Sequence, residues 1–559
     1  MMIKMSSRGK SWPGVALLAT MVILSGPVRA QDHEGEGHGQ NRDWPMFGQN
    51  LANTASTASG GDSLSVREVG KLKTKWVFTT GGDIAARASV VDGVVYFPDY
   101  GGNLWALTSE SGHVVWSHKL SDYGLAAGTV SRTSPTVVDG VLYIGTQWVG
   151  TGPTGWLLAI NAATGRLIWK IQPDTSSSSP VITASVAVAG GVVYVGMTSN
   201  EEYDAANPFY PCCSARGNVV AVKADTGQVL WQTFTVPVGY TGGAVWGSNP
   251  VVDVSRGLLY VSTGDNYSIP KDSAESSTPG VTYKQCIVAG GNAASCNSSK
   301  NYVDAVVALE IHNHGAIRWG TPLVTWHQPL QGVTDGSDNW NVACFTTHTN
   351  CPPNQGPDYD FGSGPNEITY QTETGPRTIL GAGQKSGIYY ALDPDNGHLL
   401  WQTPVGPGST LGGMEWGSAS DGKRIYVAVG NFFGIPYAAG SAGSWAALDP
   451  ATGRILWQVA DPNGSVDLGA LAIANGVLYA PSMGSFSPFV PDNVIGTTPT
   501  MFALDASSGK ILWSFAAGSS VIAGATVVGE NVFWGSGYGK YGAGVPGFTG
   551  NNKFFAFHK

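Results

Sequence analysis

A line of 13 or 14 residues recurs seven times in this chain and ends each time in tryptophan. Its copies are LWALTSESGHVVW (104–116), LLAINAATGRLIW (157–169), VVAVKADTGQVLW (219–231), VVALEIHNHGAIRW (306–319), YYALDPDNGHLLW (389–401), WAALDPATGRILW (445–457) and MFALDASSGKILW (501–513). Each copy holds two hydrophobic stretches on either side of a polar turn that contains glycine. Glycine supplies the positive φ that such a turn needs, so each copy predicts a β-hairpin.

A second hydrophobic phrase precedes most of these hairpins, as in VVDGVVYFPD (90–99) and IANGVLYAPS (473–482). Phrase and hairpin together make a four-stranded antiparallel unit. Such a unit cannot bury both of its faces alone, so the copies must pack around a common axis. The repeat therefore predicts an all-β fold, a β-propeller.

The closing tryptophans set the number of blades. There are eight of them: Trp76, Trp116, Trp169, Trp231, Trp319, Trp401, Trp457 and Trp513. Trp76 has no hairpin partner ahead of it, whereas KFFAFHK (553–559) has neither a turn nor a tryptophan after it. Joining these two fragments leaves no open sheet edge, so we expect eight blades, the last one closed by N- and C-terminal strands. We interpret the tryptophans themselves as packing residues without a chemical role.

The first residues predict an export signal. Basic residues are followed by the apolar run VALLATMVILSG (15–26), which is short for a membrane span, and cleavage is expected after Ala30. Residues 31–42 then form a flexible polar leader, and residues 43–559 form the propeller. We expect an exported protein without stable membrane insertion.

Charge and cysteine content narrow the possible partners and the compartment. The net charge is −9 and no basic cluster occurs, which argues against nucleic acid as a partner. The six cysteines fall into three close pairs, Cys212–Cys213, Cys286–Cys296 and Cys344–Cys351. This pattern in an exported chain predicts three disulfides. No Cys-x-x-Cys-His motif for haem attachment is present.

With these repeats and the CC dipeptide, the chain resembles the quinoprotein alcohol dehydrogenases over residues 43–559. The segments DWPMFGQNLANT (43–54), TGDNYS (263–268) and DNWNVAC…CPPNQGPDYDFG (338–362) carry the likeness. The resemblance is strongest to members that act on polymeric alcohols. It implies a periplasmic enzyme that holds pyrroloquinoline quinone (PQQ) and calcium near the propeller axis.

The resemblance also implies residues that bind the quinone. Thr183 would lie beside it, Trp246 would form the floor beneath it, and the Cys212–Cys213 ring would cover it. Arg132 would bind a quinone carboxylate, and Lys385 would reach the quinone carbonyls. The cysteine pair departs from the family pattern, since the family places it earlier in the chain, before the arginine.

For calcium, the resemblance implies Glu201, with Glu202 as a close rival, and Asp265 or Asn266. Carboxylate and side-chain carbonyl oxygens suit this hard cation, which would act as a Lewis acid on the quinone. Each of these residues also has a plain structural interpretation as a loop or turn residue.

The catalytic base is expected to be a carboxylate that takes the alcohol proton. The family keeps it in a WDYD phrase, whereas this chain reads DNWN and then, after a cysteine-closed insertion, PDYDFG (357–362). We interpret the insertion as splitting the motif, so Asp358 is the expected base, with Asp338 as rival and Asp360 third.

The sequence therefore predicts oxidation of a secondary or polymeric alcohol to a ketone. Electrons would pass to a separate acceptor, for which cytochrome c is expected. The alternative is a non-catalytic propeller that binds partner proteins in the cell envelope. A scaffold of that kind has no need of the acidic residues or the CC dipeptide.

Overall fold

Each tryptophan repeat folds into the two outer strands of a four-stranded antiparallel sheet. The computed structural model describes residues 43–57, 64–147, 154–177, 179–247, 249–323, 339–353, 355–484, 496–539 and 548–559. Within them are eight such sheets, which form an eight-bladed β-propeller. The expected export signal and leader (1–42) lie outside the described residues.

The blades are numbered along the chain, and in each the first strand is innermost, because the first strands of neighbouring blades lie side by side. The strands of blades 1 and 2 are Ser89–Val91, Val94–Pro98, Asn103–Thr108, Val114–Lys119; and Thr136–Val138, Val141–Gly145, Leu157–Asn161, Leu167–Ile171. Those of blades 3 and 4 are Ala187–Ala189, Val192–Ser199, Asn218–Lys223, Val229–Phe234; and Val251–Asp253, Leu258–Ser262, Ala305–Glu310, Ala316–Pro322. A short strand, Pro180–Val181, also pairs with the second strand of blade 3.

Blades 5 to 7 continue the pattern. The strands of blades 5 and 6 are Asn366–Thr372, Gly375–Gly383, Ile388–Leu392, Leu399–Pro404; and Ala419–Ser420, Ile425–Val429, Ser444–Leu448, Ile455–Ala460. Those of blade 7 are Ala472–Ala474, Val477–Pro481, Met501–Asp505 and Ile511–Phe515. Short helices in the connections are Glu201–Asp204, Tyr283–Val288 and Ala293–Cys296, with 3-10 turns at Val69–Lys71, Leu120–Tyr123 and Val342–Cys344. None of the described helices is long and apolar enough to cross a membrane.

Blade 8 closes the ring with both ends of the propeller. Its strands are Thr526–Val528, Asn531–Gly535, Lys553–His558 and Lys73–Thr79. The last two pair antiparallel, with Lys73 opposite His558 and Thr79 opposite Lys553. The predicted eight blades and their mixed closing blade are confirmed.

The repeat tryptophans join each blade to the next. Trp401 donates its indole N–H to the carbonyl of Pro450 in the following blade (3.1 Å). Its ring also lies against Gly453, which has φ +72° and where a Cβ atom would come within 2.4 Å of the ring. The turn glycine therefore serves two needs, since it adopts the left-handed backbone conformation and leaves room for the neighbouring tryptophan.

The segment Trp44–Thr57, here called the axial segment, runs along the innermost strands of several blades. Trp44 forms a bridge with Val90 of blade 1. Further bonds of 2.8–2.9 Å join the axial segment to blades 2, 4, 5, 6 and 7: Val137 N to Pro45 O, Val252 N to Leu51 O, Glu367 N to Ala52 O, Ser420 N to Thr54 O and Ile473 N to Ala55 O. These bonds use backbone groups that would otherwise face the axis unpaired.

Candidate functional site

The candidate residues share one face of the propeller because of how the blades are built. In an antiparallel pair the start of the first strand and the end of the second lie at the same edge. Arg132, Thr183 and Trp246 come just before innermost strands, whereas Asp265 and Lys385 come just after second strands. Their side chains therefore converge where the axis opens on this face.

Three carboxylates form the centre of the site. Asp265, Asp358 and Asp360 are buried, and one oxygen of each lies within 4.8 Å of the other two. Asp358 has φ +57°, a left-handed conformation that aspartate tolerates better than most residues. Such conformations concentrate at functional sites.

Lys385 lies against two of these carboxylates. Its Nζ atom is 2.9 Å from Oδ1 of Asp358 and 2.7 Å from Oδ1 of Asp360. Burial by itself lowers the pKa of Lys385, but Asp358 and Asp360 raise it well above its usual range, so the ammonium form is kept. Burial raises the pKa of Asp358, which Lys385 opposes and Asp360 and Glu202 reinforce.

Trp246 is attached directly to this cluster. Its indole N–H donates to Oδ2 of Asp360 (2.7 Å), and Nζ of Lys385 lies 5.2 Å from the centre of its rings. A Cβ atom on Gly264 would come within 2.7 Å of the same Asp360 oxygen. The glycine is therefore required for Asp360 to reach the indole.

Trp416 and Arg132 extend the aromatic surface. The rings of Trp246 and Trp416 lie 5.5 Å apart and nearly perpendicular. The Cζ atom of Arg132 is 4.7 Å from the ring centre of Trp416 and 5.5 Å from that of Trp246. A guanidinium held over two indoles is oriented by cation–π attraction and still has N–H groups to donate.

Two partly buried glutamates add negative charge to the cluster. Burial raises the pKa of both Glu202 and Glu415 to about 7. For both, Lys385 lowers the pKa, Asp360 raises it and Arg132 lowers it, so both lie within electrostatic range of the same groups. Five carboxyl groups thus face two basic side chains, an imbalance that favours a multivalent cation.

Glu201 lies next to Glu202 in the chain but serves a different part of the molecule. Its buried carboxylate accepts hydrogen bonds from Tyr210 Oη (2.8 Å), Ser214 N (2.7 Å), Ser214 Oγ (2.7 Å) and Ala215 N. It is not part of the carboxylate group formed by Asp265, Asp358 and Asp360. Glu201 therefore anchors the loop that carries Cys212 and Cys213.

The other predicted site residues divide in the same way. Asn266 donates from its side-chain amide to Thr241 O (2.6 Å) and accepts on its side-chain oxygen from the Asn301 amide (2.8 Å). It therefore holds loops together beside the site. Thr183 donates to the carbonyl oxygen of Trp246 (2.9 Å) and supports that residue from behind. The rival base, Asp338, lies outside the described residues.

The three predicted disulfides are present. Cys212 and Cys213 are joined by a cis peptide bond, with 3.0 Å between their Cα atoms. Both pack in one small apolar cluster with Trp246, Ala244 and Tyr267. The structure therefore brings the CC ring and the predicted floor tryptophan together, although they come from different loops.

Sequence reasoning missed Trp416 and Glu415, and it treated Asp360 only as a third choice of base. A signal for Trp416 was available, because MEWGS (414–418) repeats the WGS of Trp246 at the same place ahead of an innermost strand. No such signal marked Glu415. Its side chain packs against Gly362, which precedes blade 5, and a Cβ atom on that glycine would come within 2.5 Å of the Glu415 side chain.

The donor set fits the groups implied by the resemblance. Clustered carboxylate oxygens are the ligands of a hard cation such as calcium. A flat aromatic floor, two basic side chains and an apolar disulfide ring suit a flat, multiply charged aromatic cofactor. Asp358 places a carboxyl group beside this space, the type of group that acts as a base in proton transfer.

The chain as a whole is similar to several known proteins. A family model described as outer membrane protein assembly factor BamB, with the short name PQQ_2, matches residues 54–322, 384–482 and 441–544, which is more than half of the chain. The polyvinylalcohol dehydrogenase of Sphingopyxis sp. is 28% identical over 85% of this chain and 70% of its own length. That of a Pseudomonas species is 29% identical over 84% and 67%.

A solved structure of a quinohemoprotein alcohol dehydrogenase from Pseudomonas putida shares the fold. It has a TM-score of 0.65 and 18% identity, and covers 93% of this chain and 80% of its own. On the family match and these relatives, the chain belongs to the propeller family of that model and, within it, to the PQQ-dependent quinoprotein dehydrogenases.

Proposed function

We propose that this dehydrogenase oxidises secondary or polymeric, polyvinyl-alcohol-like alcohols to ketones, with calcium beside PQQ, and passes the electrons to a separate acceptor such as cytochrome c. The observation that carries the proposal is the buried group of Asp265, Asp358 and Asp360, paired with Lys385 beside Trp246. Two relatives that match most of the chain are named polyvinylalcohol dehydrogenases.

The metal is proposed to lie among Asp265, Asp360 and Glu202. Asp265 and Asp360 belong to the three-carboxylate group. Of the two glutamates that the resemblance offers as calcium ligands, Glu202 is the one within electrostatic range of Asp360. A bound cation would compensate the excess of carboxylates. Asn266 contributes by holding its loop rather than as a ligand.

The quinone is proposed to lie against Trp246, with Arg132 on its carboxylates and Lys385 near its carbonyls. Lys385 is kept as an ammonium ion by its two aspartates, so it can stabilise negative charge without losing its proton. The Cys212–Cys213 ring and Tyr267 would exclude water from the same space, since both belong to the cluster that includes Trp246. Bound PQQ would supply the two-electron acceptor for the hydrogen that leaves the carbinol carbon.

Asp358 is proposed as the base. Asp358 and Asp360 both form an ion pair with Lys385, but Asp360 also accepts a hydrogen bond from the indole of Trp246 and Asp358 does not. Once a cation lowers its pKa, Asp358 can take the hydroxyl proton of the alcohol as the carbon–oxygen double bond forms. Removal of that proton and of the carbinol hydrogen with its electron pair completes the oxidation to a ketone.

The test is dye-linked oxidation by purified protein with and without PQQ and calcium. We expect activity only with both, higher on a secondary alcohol such as 2-hexanol and on poly(vinyl alcohol) than on 1-hexanol, together with reduction of added cytochrome c. Activity confined to 1-hexanol would overturn the substrate proposal. Europium(III) carries more charge than calcium and also prefers oxygen ligands, so it tests the identity of the metal. Activation by europium and not by calcium would overturn the assignment of calcium.

We also propose export to the periplasm through residues 1–30, with residues 31–42 as a leader ahead of the propeller. N-terminal sequencing of the protein from a periplasmic extract should begin at Gln31. Recovery of the protein in the cytoplasm with its first residues intact would contradict this.

A further inference from the structure

A second feature of the axis shares Arg132, Thr183 and Trp416 with the candidate site but contains none of its aspartates. It is a small cavity of about 40 Å³. Its lining includes residues that come just before the innermost strands of several blades, among them Arg87, Arg132, Ser134 and Trp416, and also Phe47 of the axial segment.

Arg87 is the most unusual residue of this lining. Its side chain is only 1% exposed. Nη1 donates to Phe47 O (2.7 Å) and Nη2 to Leu471 O (2.6 Å), whereas Nε has no hydrogen-bond partner. Burial lowers the pKa of Arg87 to about 9, and no carboxylate of the described residues forms an ion pair with it. A buried cation without an anion is costly, so a counter-ion is expected.

The remaining unpaired polar atoms of the cavity are mostly hydrogen-bond donors. Nε of Arg132, the indole Nε1 of Trp416 and Oγ of Ser134 are buried and have no hydrogen-bond partner. The two nitrogens can only donate, and the hydroxyl can donate or accept. A cavity lined by two guanidinium groups and further unpaired donors is complementary to an anion.

The chain makes specific room for the Arg87 side chain. A Cβ atom on Gly524 would lie 2.0 Å from Nη2 and 2.3 Å from Nε of Arg87. Trp44 and Phe47 cover the guanidinium, with ring centres 5.3 and 4.9 Å from its Cζ atom. Backbone and aromatic rings therefore fix this cation on the axis.

We propose that the axial cavity binds a small inorganic anion of the halide class, held by Arg87 and the other unpaired donors, with water in the remaining space. The anion offsets the charge of Arg87 and links blades 1, 2 and 6 with the axial segment from inside the ring. A carboxylate of the quinone could supply the same chemistry, so the experiment separates the two sources.

The first measurement uses bromide as the probe in crystals of the protein, with and without saturating PQQ. The proposal predicts an anomalous bromide peak at hydrogen-bond distance from Arg87 Nε in both crystals. Only water at this position, or a bromide peak that PQQ abolishes, overturns it, the second result assigning the cavity to the quinone.

The second measurement compares Tm in sodium chloride with Tm in sodium gluconate, whose anion is bulky. Chloride should raise the Tm of the wild type, because a ligand that binds only the folded state stabilises it. Arg87→Met should need at least about tenfold more chloride for the same rise, as expected from loss of a charge-assisted hydrogen bond. The exposed matched control, Arg377→Met, should behave as wild type. If Arg87→Met does not fold, the bromide peak in the wild type decides, and equal chloride dependence in all three proteins overturns the proposal.

Discussion

At the scale of single residues, carboxylates that are close in the sequence have different partners and therefore different roles. Asp358 and Asp360 share Lys385, but only Asp360 is also bound by an indole N–H. Glu201 and Glu202 are adjacent, yet one anchors a loop and the other lies within range of Lys385. The residue type alone therefore does not determine the role.

Asp358→Asn should lower kcat by a factor of about 100 or more, the lower end of the effect expected for loss of a general base. The amide keeps the size of the side chain but cannot take the proton. The measurement is steady-state turnover at saturating PQQ, calcium and alcohol. Asp225→Asn, at an exposed position, is the matched control and should be as active as wild type. If Asp358→Asn keeps wild-type turnover and Asp338→Asn is inactive, the base is Asp338 instead.

Glu202→Gln should affect cofactor binding, whereas Glu201→Gln should affect thermal stability. Glu202→Gln should weaken calcium and PQQ binding, read as quenching of tryptophan fluorescence on titration, with little loss of Tm. Glu201→Gln should lower Tm, because the carboxylate accepts hydrogen bonds on both oxygens, whereas the amide nitrogen that replaces one oxygen cannot accept any. Unchanged cofactor binding in Glu202→Gln, with loss in Glu201→Gln, would restore Glu201 as the metal ligand.

At the scale of elements, two loops outside the blades cooperate above the site. Asn350, next to Cys351, donates to the carbonyls of Ala205 (2.9 Å), Asn207 (3.0 Å) and Tyr210 (3.2 Å) in the loop that leads to the CC ring. The disulfide Cys344–Cys351 thus supports the loop of Cys212 and Cys213. The two loops are therefore joined to each other beside the CC ring, which packs with Trp246.

Replacing both Cys212 and Cys213 by serine should reduce turnover more than Tm, because this ring packs near Trp246 and closes no long loop. Replacing Cys286 and Cys296 by alanine should show the reverse, a fall in Tm with turnover kept. Closing a loop of this length contributes about 2–4 kcal/mol by constraining the unfolded chain. Turnover and thermal melting of the two double variants are the measurements. Full turnover without the CC ring would remove it from the site.

At the scale of the whole molecule, the ring is stabilised by contacts between neighbours and by closure through blade 8. Its buried polar groups include Asp467, which is fully buried against Asp461 away from the carboxylate cluster. Burial first, and the Asp461 charge second, raise the pKa of Asp467 well above its usual range. The folded protein therefore holds a proton that the unfolded chain releases near pH 4.

This pair makes the free energy of unfolding depend on pH. Because folding raises the pKa of Asp467, its contribution to stability falls as pH rises above the unfolded pKa and through the folded one. Asp467→Asn is neutral throughout, so its stability relative to wild type should increase from pH 5 to pH 9. Urea denaturation across that range measures it, with the exposed Asp225→Asn as control. A constant difference between wild type and Asp467→Asn would refute the assignment.

Sequence periodicity alone predicted the fold, its blade number and its closing blade. The reason is local, since each hairpin, turn glycine and tryptophan is encoded within a few residues, and repetition leaves only one way to bury the sheets. The resemblance, rather than the periodicity, pointed to Arg132, Thr183, Trp246, Asp265 and Lys385, and the strand order brings them to one face. The sequence could therefore name the neighbourhood of the candidate site through the resemblance.

Only the tertiary structure decided which carboxylates meet. Asp265 follows a strand of blade 4, Asp358 and Asp360 precede blade 5, and Glu415 precedes blade 6. Their distances depend on the angle between blades and on close approaches at Gly264 and Gly362. The choice between Glu201 and Glu202 likewise depends on which side chain the following loop surrounds. These are contacts between distant parts of the chain, and nothing in the local sequence fixes them.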